Sequence, residues 1–227
     1  MEEIKINFEN NDLLVLEKPA GVVVTNENRR EAETVEGWLL KNGLGIGLRR
    51  QGIAHRLDKG TSGLLLVAKT EEYLEYLKYL FKERKIKKRY LALVSGVIST
   101  DGIIEMPIGR SQRFFGRFKV REDGKISETH FRREAVINFL KRKYSLVSVD
   151  LKTGRTHQIR VHFQYLGWPL VGDKTYGGEM DLGIKRPFLH ATEISINDSG
   201  GKLMHFESKI PADLKSLLNR MGYEDQS

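Results

Sequence analysis

Apolar residues recur along this chain mainly in short runs bounded by turn-forming residues, a pattern typical of β-strands. The runs predict strands at residues 4–8, 13–17, 22–25, 90–97, 102–108, 117–121, 127–133 and 144–151, and a continuous apolar run predicts a buried strand at 64–68. Helical spacing occurs instead at residues 33–42, 70–84, 156–166 and 212–221. Because short turns join successive strands, the pairing should be mainly antiparallel. The pattern therefore predicts an α+β fold with a mainly antiparallel, mixed sheet flanked by helices.

The helix predicted at residues 156–166 would carry polar groups on one edge. Thr156 is placed to cap it. Its apolar stripe would consist of Ile159, Phe163 and Leu166. At 100° per residue, Arg160 lies well off that stripe, on the side of His157. We therefore expect the helix to present cationic groups to the cleft that it borders, at the end where unpaired backbone N–H groups favour anions.

Length and composition place the chain among soluble globular proteins. Its 227 residues allow one large domain or two small lobes, and its 40% hydrophobic and 30% charged content is ordinary. Because cysteine is absent, disulfides and thiolate metal sites are excluded. No apolar run is long enough to span a membrane, and the first residues do not form a secretory signal. A cytoplasmic location is therefore expected.

The charge distribution points to an anionic partner. The formal net charge is +8, and basic residues cluster at 82–89, 110–121 and 141–143. Any one cluster could be a solvated helix or hairpin face. Three clusters on one short chain favour contact with nucleic acid instead. A membrane surface is disfavoured, because two of the clusters lie in loops or hairpins rather than on a helix with an apolar stripe.

Asp58 lies in a glycine-bounded loop between basic residues and ahead of the buried run at 64–68. Arg56 precedes it and Lys59 follows it. An isolated carboxylate among cations suits a nucleophile directed at an anionic polymer. From this loop alone, a structural role in which the Asp58 side chain closes an Asx turn is the alternative.

Several other chemistries lack their required spacing. His157 and His162 are five residues apart, whereas two ligands on one helix face need a spacing of four. No Walker-type loop is present, and the glycine cluster at 43–47 does not complete a dinucleotide-binding fingerprint. Hydrolysis of a glycosidic bond would need a second carboxylate, for which Asp150 or Asp173 would have to approach Asp58 in space.

Two stretches of the chain resemble the signature motifs of the RluA family of RNA pseudouridine synthases. The first is His-Arg-Leu-Asp at 55–58 with Thr-Ser-Gly at 61–63, and the second is Gly-Arg-Thr-His-Gln-Ile-Arg-Val-His at 154–162. Weaker matches follow the order of the family at residues 12–21, 88–94 and 172–177. The likeness extends from about residue 12 to residue 210.

The resemblance implies an isomerase that detaches uracil from C1′ of a uridine in RNA, turns the base and reattaches it through C5. Asp58 matches the catalytic aspartate, and attack at the base, attack at C1′ and elimination all remain open. Arg160 matches the arginine that pairs with the catalytic carboxylate and keeps it ionised. Tyr90 matches a tyrosine that stacks on the target base, and Arg56 matches a residue that replaces the extruded nucleotide in the RNA stack.

Other residues of the matched motifs are expected to support the cleft rather than to react. His55 is expected to orient the loop instead of transferring protons, and Thr61 and Ser62 should shape its turn. His157 and Gln158 are expected to support the second motif. Structural support is also expected from Lys18, Pro19, Asp173 and Tyr176.

The same resemblance implies a single catalytic domain over residues 1–227, with a central catalytic cleft and without the S4-type RNA-binding domain that precedes it in many relatives. It implies no metal, nucleotide or redox cofactor. The expected partner is structured RNA, either rRNA or tRNA, with no DNA or membrane, and we expect a monomer. A non-catalytic RNA-binding module on the same fold and a nucleoside-bond hydrolase are the alternatives.

Overall fold

The computed structural model of this chain describes residues 3–25 and 34–224. Its contacts divide into two units, which we call the N-unit (residues 1–88 and 191–209) and the C-unit (residues 89–190 and 210–227). In chain order the elements are β1 (Lys5–Glu9), β2 (Leu13–Lys18), α1 (Val35–Lys41), a 3-10 turn (Arg49–Gly52), β3 (Ser62–Ala68), α2 (Glu71–Lys82), β4 (Lys87–Ser95), β5 (Gly102–Glu105), β6 (Ile108–Arg110), β7 (Phe118–Val120), β8 (Glu128–Phe139), β9 (Arg142–Leu151), α3 (Gln158–Tyr165), β10 (Leu189–Asn197), β11 (Leu203–Glu207) and α4 (Ala212–Arg220).

The N-unit is built on a sheet in the order β1-β2-β3-β10, with β11 paired to β10. The pairs β1–β2, β2–β3 and β10–β11 are antiparallel. Helix α2 begins where the Thr70 hydroxyl accepts a hydrogen bond from the Tyr73 N–H at 3.2 Å, as its sequence predicts. Leu74 and Leu77 of this helix pack with Leu66 of β3 in one buried cluster. Strand β3 is buried along its whole length, so the loop that enters it starts from a rigid base.

The C-unit contains the antiparallel strands β4, β9, β8 and β5 in that order. Its larger core cluster joins this sheet to α4, through residues such as Leu93, Leu146 and Leu217. A smaller cluster joins the β6–β7 hairpin to α3, where Ile108 packs with Val161 and with partly buried Phe118. The hairpin is therefore held against the helix that carries the second sequence motif.

The antiparallel α+β architecture predicted from the sequence is confirmed, with some errors in single elements. The strand predicted at 22–25 is wrong, since only Val23 forms an isolated bridge, and the Lys18 ammonium binds the carbonyls of Pro19 and Val22 and turns the chain there. The strand predicted at 102–108 is broken into β5 and β6, because Pro107 has no N–H to donate. Strands β10 and β11 were not predicted.

The helices agree more closely with the pattern. Helix α1 begins after Thr34, whose hydroxyl accepts from the Gly37 N–H at 3.0 Å, whereas residue 33 of the predicted segment lies outside the described residues. Helices α2 and α4 match their predicted segments within two residues at each end. Within residues 3–25 and 34–224, no helix is both long enough and apolar enough to cross a membrane.

Candidate active site

The first sequence motif forms a tight turn at the entrance to β3 in the N-unit. The Asp58 carbonyl accepts a hydrogen bond from the Thr61 N–H at 3.1 Å, which closes a four-residue β-turn. Thr61 and Ser62 are 2% and 3% exposed and lead directly into β3. Asp58 is partly buried, whereas Arg56 is exposed. The turn therefore fixes the Asp58 backbone while Arg56 remains accessible to a ligand.

Gly63 allows this turn to pass close to β10. Its φ of +114° lies in a region that other residues rarely adopt. A Cβ at this position would lie 2.2 Å from the Ala191 carbonyl oxygen, well inside contact distance. Any larger residue at position 63 would therefore displace the end of the loop that carries Asp58.

The buried Lys18 side chain supports the turn at Asp58 through the backbone of residues 19–22. Lys18 is 1% exposed, and its ammonium donates to the Pro19 carbonyl at 2.9 Å and to the Val22 carbonyl at 2.8 Å. In the turn formed by these residues, the Gly21 N–H donates to the Lys59 carbonyl at 2.7 Å. Lys18 therefore holds the backbone segment that bonds Lys59, the residue after Asp58.

His55 is held as a neutral acceptor. Its Nε2 accepts a hydrogen bond from the Leu66 N–H of β3 at 2.9 Å, which places the ring proton on Nδ1. The ring packs against Phe81, with the ring centroids 4.8 Å apart. Burial and the nearby Lys88 ammonium lower the His55 pKa to about 3. A ring in this state is suited to anchoring the loop to β3 and is poorly suited to proton transfer.

His55 should make the folded protein sensitive to acid. Its pKa is about 3 when folded and about 6.5 when unfolded, so between these values the unfolded chain binds more protons and stability falls as the pH falls. Below about pH 6, the unfolding free energy of the wild type should fall by about 1 kcal/mol more per pH unit than that of His55→Gln. The glutamine amide oxygen of this control can still accept the hydrogen bond from the Leu66 N–H. Urea unfolding from about pH 7 to pH 4 measures this difference, and parallel curves for the two proteins would contradict it.

A buried ion pair holds Arg160 of the second sequence motif in the C-unit. The Arg160 guanidinium donates to both carboxylate oxygens of Asp173, at 2.7 Å and 2.9 Å, in a bidentate arrangement. Their side chains are 9% and 1% exposed. The same carboxylate accepts from the backbone N–H groups of Thr175 and Tyr176. Arg160 is therefore held in one orientation, with its guanidinium 4.9 Å from the Tyr176 ring.

Helix α3 begins two residues later than predicted. His157 occupies its N-cap position with a φ of +58°, and no side chain caps the helix, so the cap predicted at Thr156 is wrong. The predicted single apolar stripe is also wrong, because all six residues at 158–163 are buried whereas Leu166 is 38% exposed. Packing on several sides, rather than one amphipathic face, defines the environment of Arg160.

Gln158 fastens the start of α3 to its surroundings. Its carbonyl oxygen accepts from the Thr153 hydroxyl at 2.8 Å and from the Arg155 N–H at 3.0 Å. Its amide nitrogen donates to the Glu128 carbonyl and to the Thr129 hydroxyl, both at 2.9 Å. All four hydrogen-bonding positions of the amide are thus used within the protein. This geometry suits the supporting role that the sequence predicts.

The two histidines of the second motif make different contacts. His157 Nδ1 lies 2.8 Å from the Tyr176 hydroxyl. His162 is fully buried between the Thr129 hydroxyl at 2.9 Å and the Met106 carbonyl at 3.1 Å, and burial lowers its pKa. In the described part of the chain, no three histidine or carboxylate side chains are grouped as metal ligands.

Tyr90 and Asp150 lie on the paired strands β4 and β9. Tyr90 is 7% exposed and stands opposite Val149. Its neighbour Arg89 forms an ion pair with Asp150 at 3.0 Å. Both carboxylates considered as hydrolytic partners of Asp58, Asp150 and Asp173, are therefore already engaged by arginines.

The structure thus brings the predicted residues together in two groups. The N-unit group, all in one loop and the start of β3, consists of His55, Arg56, Asp58, Thr61 and Ser62. In the C-unit, the start of α3 carries His157, Gln158 and Arg160, and Tyr90 lies on β4. The sequence interpretation missed that Asp173 binds Arg160 directly; the only signal for it was the Gly-Asp pair in the weak match at 172–177.

Comparison with known proteins identifies RNA pseudouridine synthases as similar chains. A family model described as RNA pseudouridylate synthase matches residues 12–165. The "ribosomal large subunit pseudouridine synthase D" of Nitrosomonas europaea is 38% identical over 95% of this chain. An uncharacterized RNA pseudouridine synthase of Bacillus subtilis is 36% identical over 96% of this chain. The chain spans 64% of the length of the first of these relatives and 73% of the second.

Two human proteins of known structure are similar along nearly the whole chain. The human "RNA pseudouridylate synthase domain containing 1" superimposes with a TM-score of 0.77 at 32% sequence identity. The match covers 95% of this chain and 86% of the human one. A second human protein, "RNA pseudouridylate synthase domain containing 4", superimposes with a TM-score of 0.74 at 20% identity and supports the fold alone.

Proposed function

This chain belongs to the RNA pseudouridylate synthase family, and we propose on that basis that it isomerises uridine to pseudouridine within RNA. The observation that carries the proposal is the extent of the family match, because residues 12–165 include Arg56, Asp58, Tyr90 and Arg160. The reaction breaks the bond between C1′ and N1 of the base and forms one between C1′ and C5. The hydrogen on C5 is lost and N1 gains one, so the mass of the RNA does not change.

In the proposed reaction Asp58 is the catalytic residue. Its carboxylate acts as a nucleophile or as a charge partner of the sugar while the glycosidic bond is broken, and attack at the base, attack at C1′ and elimination all satisfy the same atom balance. Arg160 is assigned to supply positive charge to the active site. The closed turn at Asp58 and the ion pair of Arg160 with Asp173 support this proposal, because each holds its group in one geometry before substrate binds.

The substrate must leave the RNA stack for this chemistry, because a stacked uridine hides C1′ and C5. Arg56 is exposed and can take the place of the extruded base. Tyr90 is assigned to stacking on the uracil, an interaction worth about 1–3 kcal/mol per base. His55, Thr61, Ser62, His157 and Gln158 are assigned to support, in keeping with their contacts within the protein.

The proposed partner is structured RNA. The net charge of +8 favours a polyanion, and the relative from Nitrosomonas europaea is named for the large ribosomal subunit, which points to rRNA, with tRNA as the other candidate. We further propose that residues 1–227 act as one catalytic domain, as a cytoplasmic monomer without a cofactor. The family match supports the single domain, since it runs from the N-unit into the C-unit.

Incubation of the purified protein with unmodified rRNA and tRNA transcripts tests this function. Nucleoside analysis by mass spectrometry should show pseudouridine replacing an equal amount of uridine, with no free uracil. Release of free uracil would instead identify a nucleoside-bond hydrolase. Binding of RNA without either product would identify a non-catalytic RNA-binding module.

Lys82 and Lys87 should contribute to RNA affinity through phosphate contacts. They are exposed at the end of α2 and the start of β4, whereas Lys88 is partly buried, and burial lowers its pKa to about 8. The double variant Lys82→Ala/Lys87→Ala should weaken RNA binding. It should also reduce the magnitude of the slope of log affinity against log salt concentration by about 1 to 2.

Fluorescence anisotropy with a labelled rRNA fragment, at several salt concentrations, measures the effect of the two lysines. A matched control, Lys202→Ala/Lys209→Ala, removes the same charge from exposed positions elsewhere in the N-unit. If both double variants change the salt slope equally, the residues at 82 and 87 act only through net charge and form a solvated face.

A further inference from the structure

The tip of the β6–β7 hairpin, residues 111–117, exposes two adjacent phenylalanines. Phe115 is fully exposed, at 104%, and Phe114 is 46% exposed. Single exposed apolar residues are normal on a protein surface, but two adjacent exposed rings form a small apolar patch, and burying apolar area against a partner is favourable by about 25 cal/mol per Å². We call residues 111–117 the aromatic tip.

The aromatic tip is an ordered loop. The Ser111 N–H donates to the Arg117 carbonyl at 2.8 Å, and the Arg117 N–H donates to the Phe114 carbonyl at 3.2 Å. The Ser111 hydroxyl accepts from the Phe114 N–H at 3.2 Å. Gly116 supplies the positive φ, +74°, that turns the chain after Phe115. Because the loop is closed by these bonds, little conformational entropy is lost when Phe115 meets a partner.

Two arginine side chains of the tip lie beside the Phe114 ring. The guanidinium groups of Arg113 and Arg117 lie 5.2 Å and 4.9 Å from the Phe114 ring centroid, within cation–π distance. A third arginine, Arg110, lies 5.9 Å from the ring of Phe118 at the base of the hairpin. The tip itself contains no acidic residue, and Asp123 on the next turn is engaged by Arg121. Flat apolar rings among fixed cations are complementary to the bases and phosphates of a nucleic acid strand.

The hairpin that carries the tip is attached to the predicted site of the C-unit. The Phe118 N–H donates to the Tyr176 hydroxyl at 3.0 Å, and that hydroxyl also bonds His157 at 2.8 Å. The Phe118 and His157 rings meet edge to face at 5.7 Å. The Tyr176 ring in turn lies under the Arg160 guanidinium. The base of the hairpin and Arg160 therefore share one contact, Tyr176.

We propose that the aromatic tip binds an unpaired base of the substrate RNA by stacking on Phe115, while Arg113 and Arg117 contact the adjoining phosphates. The proposal rests on the proposed function, since it names the RNA element that the enzyme selects. Only unpaired or bulged bases offer a free face to a protruding ring, so the substrate class is RNA that presents an unpaired nucleotide. Two rings on one short loop offer far less apolar area than the helix face with which membrane-surface proteins insert.

Variants at Phe115 test the stacking directly. The probes are an RNA hairpin with a seven-nucleotide unpaired loop and a duplex formed from the same stem without the loop. Phe115→Ala should weaken binding to the looped RNA by about tenfold and leave binding to the duplex unchanged. Phe115→Trp, which keeps an aromatic ring, should bind the looped RNA with the affinity of the wild type. Leu140→Ala, at an exposed apolar residue on the β8–β9 turn beside Lys141, is the matched control and should change neither affinity.

The outcomes separate this inference from the proposed function. Equal affinity of Phe115→Ala and wild type for the looped RNA would overturn the stacking, as would an equal loss on loop and duplex. Binding to anionic phosphatidylserine vesicles that depends on Phe115, with unchanged RNA binding, would identify a membrane contact and also overturn it. Pseudouridine formation by wild type on rRNA transcripts is measured in parallel. Its failure would remove the proposed reaction without affecting the binding result.

Discussion

Asp58→Asn is expected to lower the single-turnover rate of pseudouridine formation by about 10³-fold or more while RNA affinity is retained. The substitution keeps the size and shape of the side chain, replaces one acceptor oxygen with an NH2 donor and removes the negative charge. The turn that carries Asp58 is closed by a backbone bond to Thr61, which an asparagine side chain leaves in place. The loss should therefore come from chemistry and not from folding. Quench-flow assays with excess enzyme over an rRNA transcript measure the rate, and anisotropy measures the affinity.

A matched substitution separates catalysis from net charge. Asp181→Asn removes one negative charge at a side chain that is 64% exposed and should leave the single-turnover rate within about twofold of wild type. Near-normal turnover by Asp58→Asn would refute the role assigned to Asp58. A loss of RNA binding in the same variant would show that the carboxylate shapes the binding surface instead.

Asp173→Ala is expected to lower the free energy of unfolding by about 3–5 kcal/mol. The substitution removes both hydrogen bonds of the bidentate pair with Arg160 from a site where the carboxylate is 1% exposed. It also removes the acceptor of the Thr175 and Tyr176 N–H groups. Urea unfolding monitored by circular dichroism measures the loss, which on this scale could leave the variant only marginally folded.

Arg186 and Asp213 provide a control of the same geometry. Arg186 also binds both oxygens of its partner, at 2.7 Å and 2.8 Å, but the Asp213 side chain is 46% exposed. Because water can replace the lost contacts there, Asp213→Ala should cost about 1 kcal/mol or less. Equal losses in the two alanine variants would show that burial of the Arg160 pair does not determine its contribution.

The loop at Asp58 could be located from sequence because its signals are local. A carboxylate between cations, glycines on both sides and a following apolar run are all visible in one stretch of the chain. The structure adds contacts that come from distant residues, such as the Gly21 N–H on Lys59 and the close passage of Gly63 by Ala191. Neither contact has a signature in the motif itself.

The environment of Arg160 could not be predicted from its helix. Helical spacing places Arg160 off the apolar stripe, which suggested an accessible cation, yet the side chain is buried. Its carboxylate partner is thirteen residues further along the chain, so a pattern within one helix carries no information about it. The start of α3 was misplaced for a similar reason, since the contact of His157 with Tyr176 accompanies a left-handed backbone at His157 that capping rules do not foresee.

The exposure of the aromatic tip could not be predicted from the sequence. Residues 110–121 stand out as a basic cluster, but Phe114 and Phe115 could equally have been core residues. Only the folded hairpin shows that the Phe115 ring points into solvent and that Arg113 and Arg117 lie beside the Phe114 ring.

Mapping of pseudouridine in cells tests whether Asp58 drives the isomerisation of uridine in RNA. Base-specific chemical labelling is applied to RNA from three kinds of cells: cells with this protein, cells without it, and cells that carry Asp58→Asn instead. We expect at least one uridine to be labelled only when the wild-type protein is present. An identical map in all three would contradict it, as would restoration of the label by Asp58→Asn.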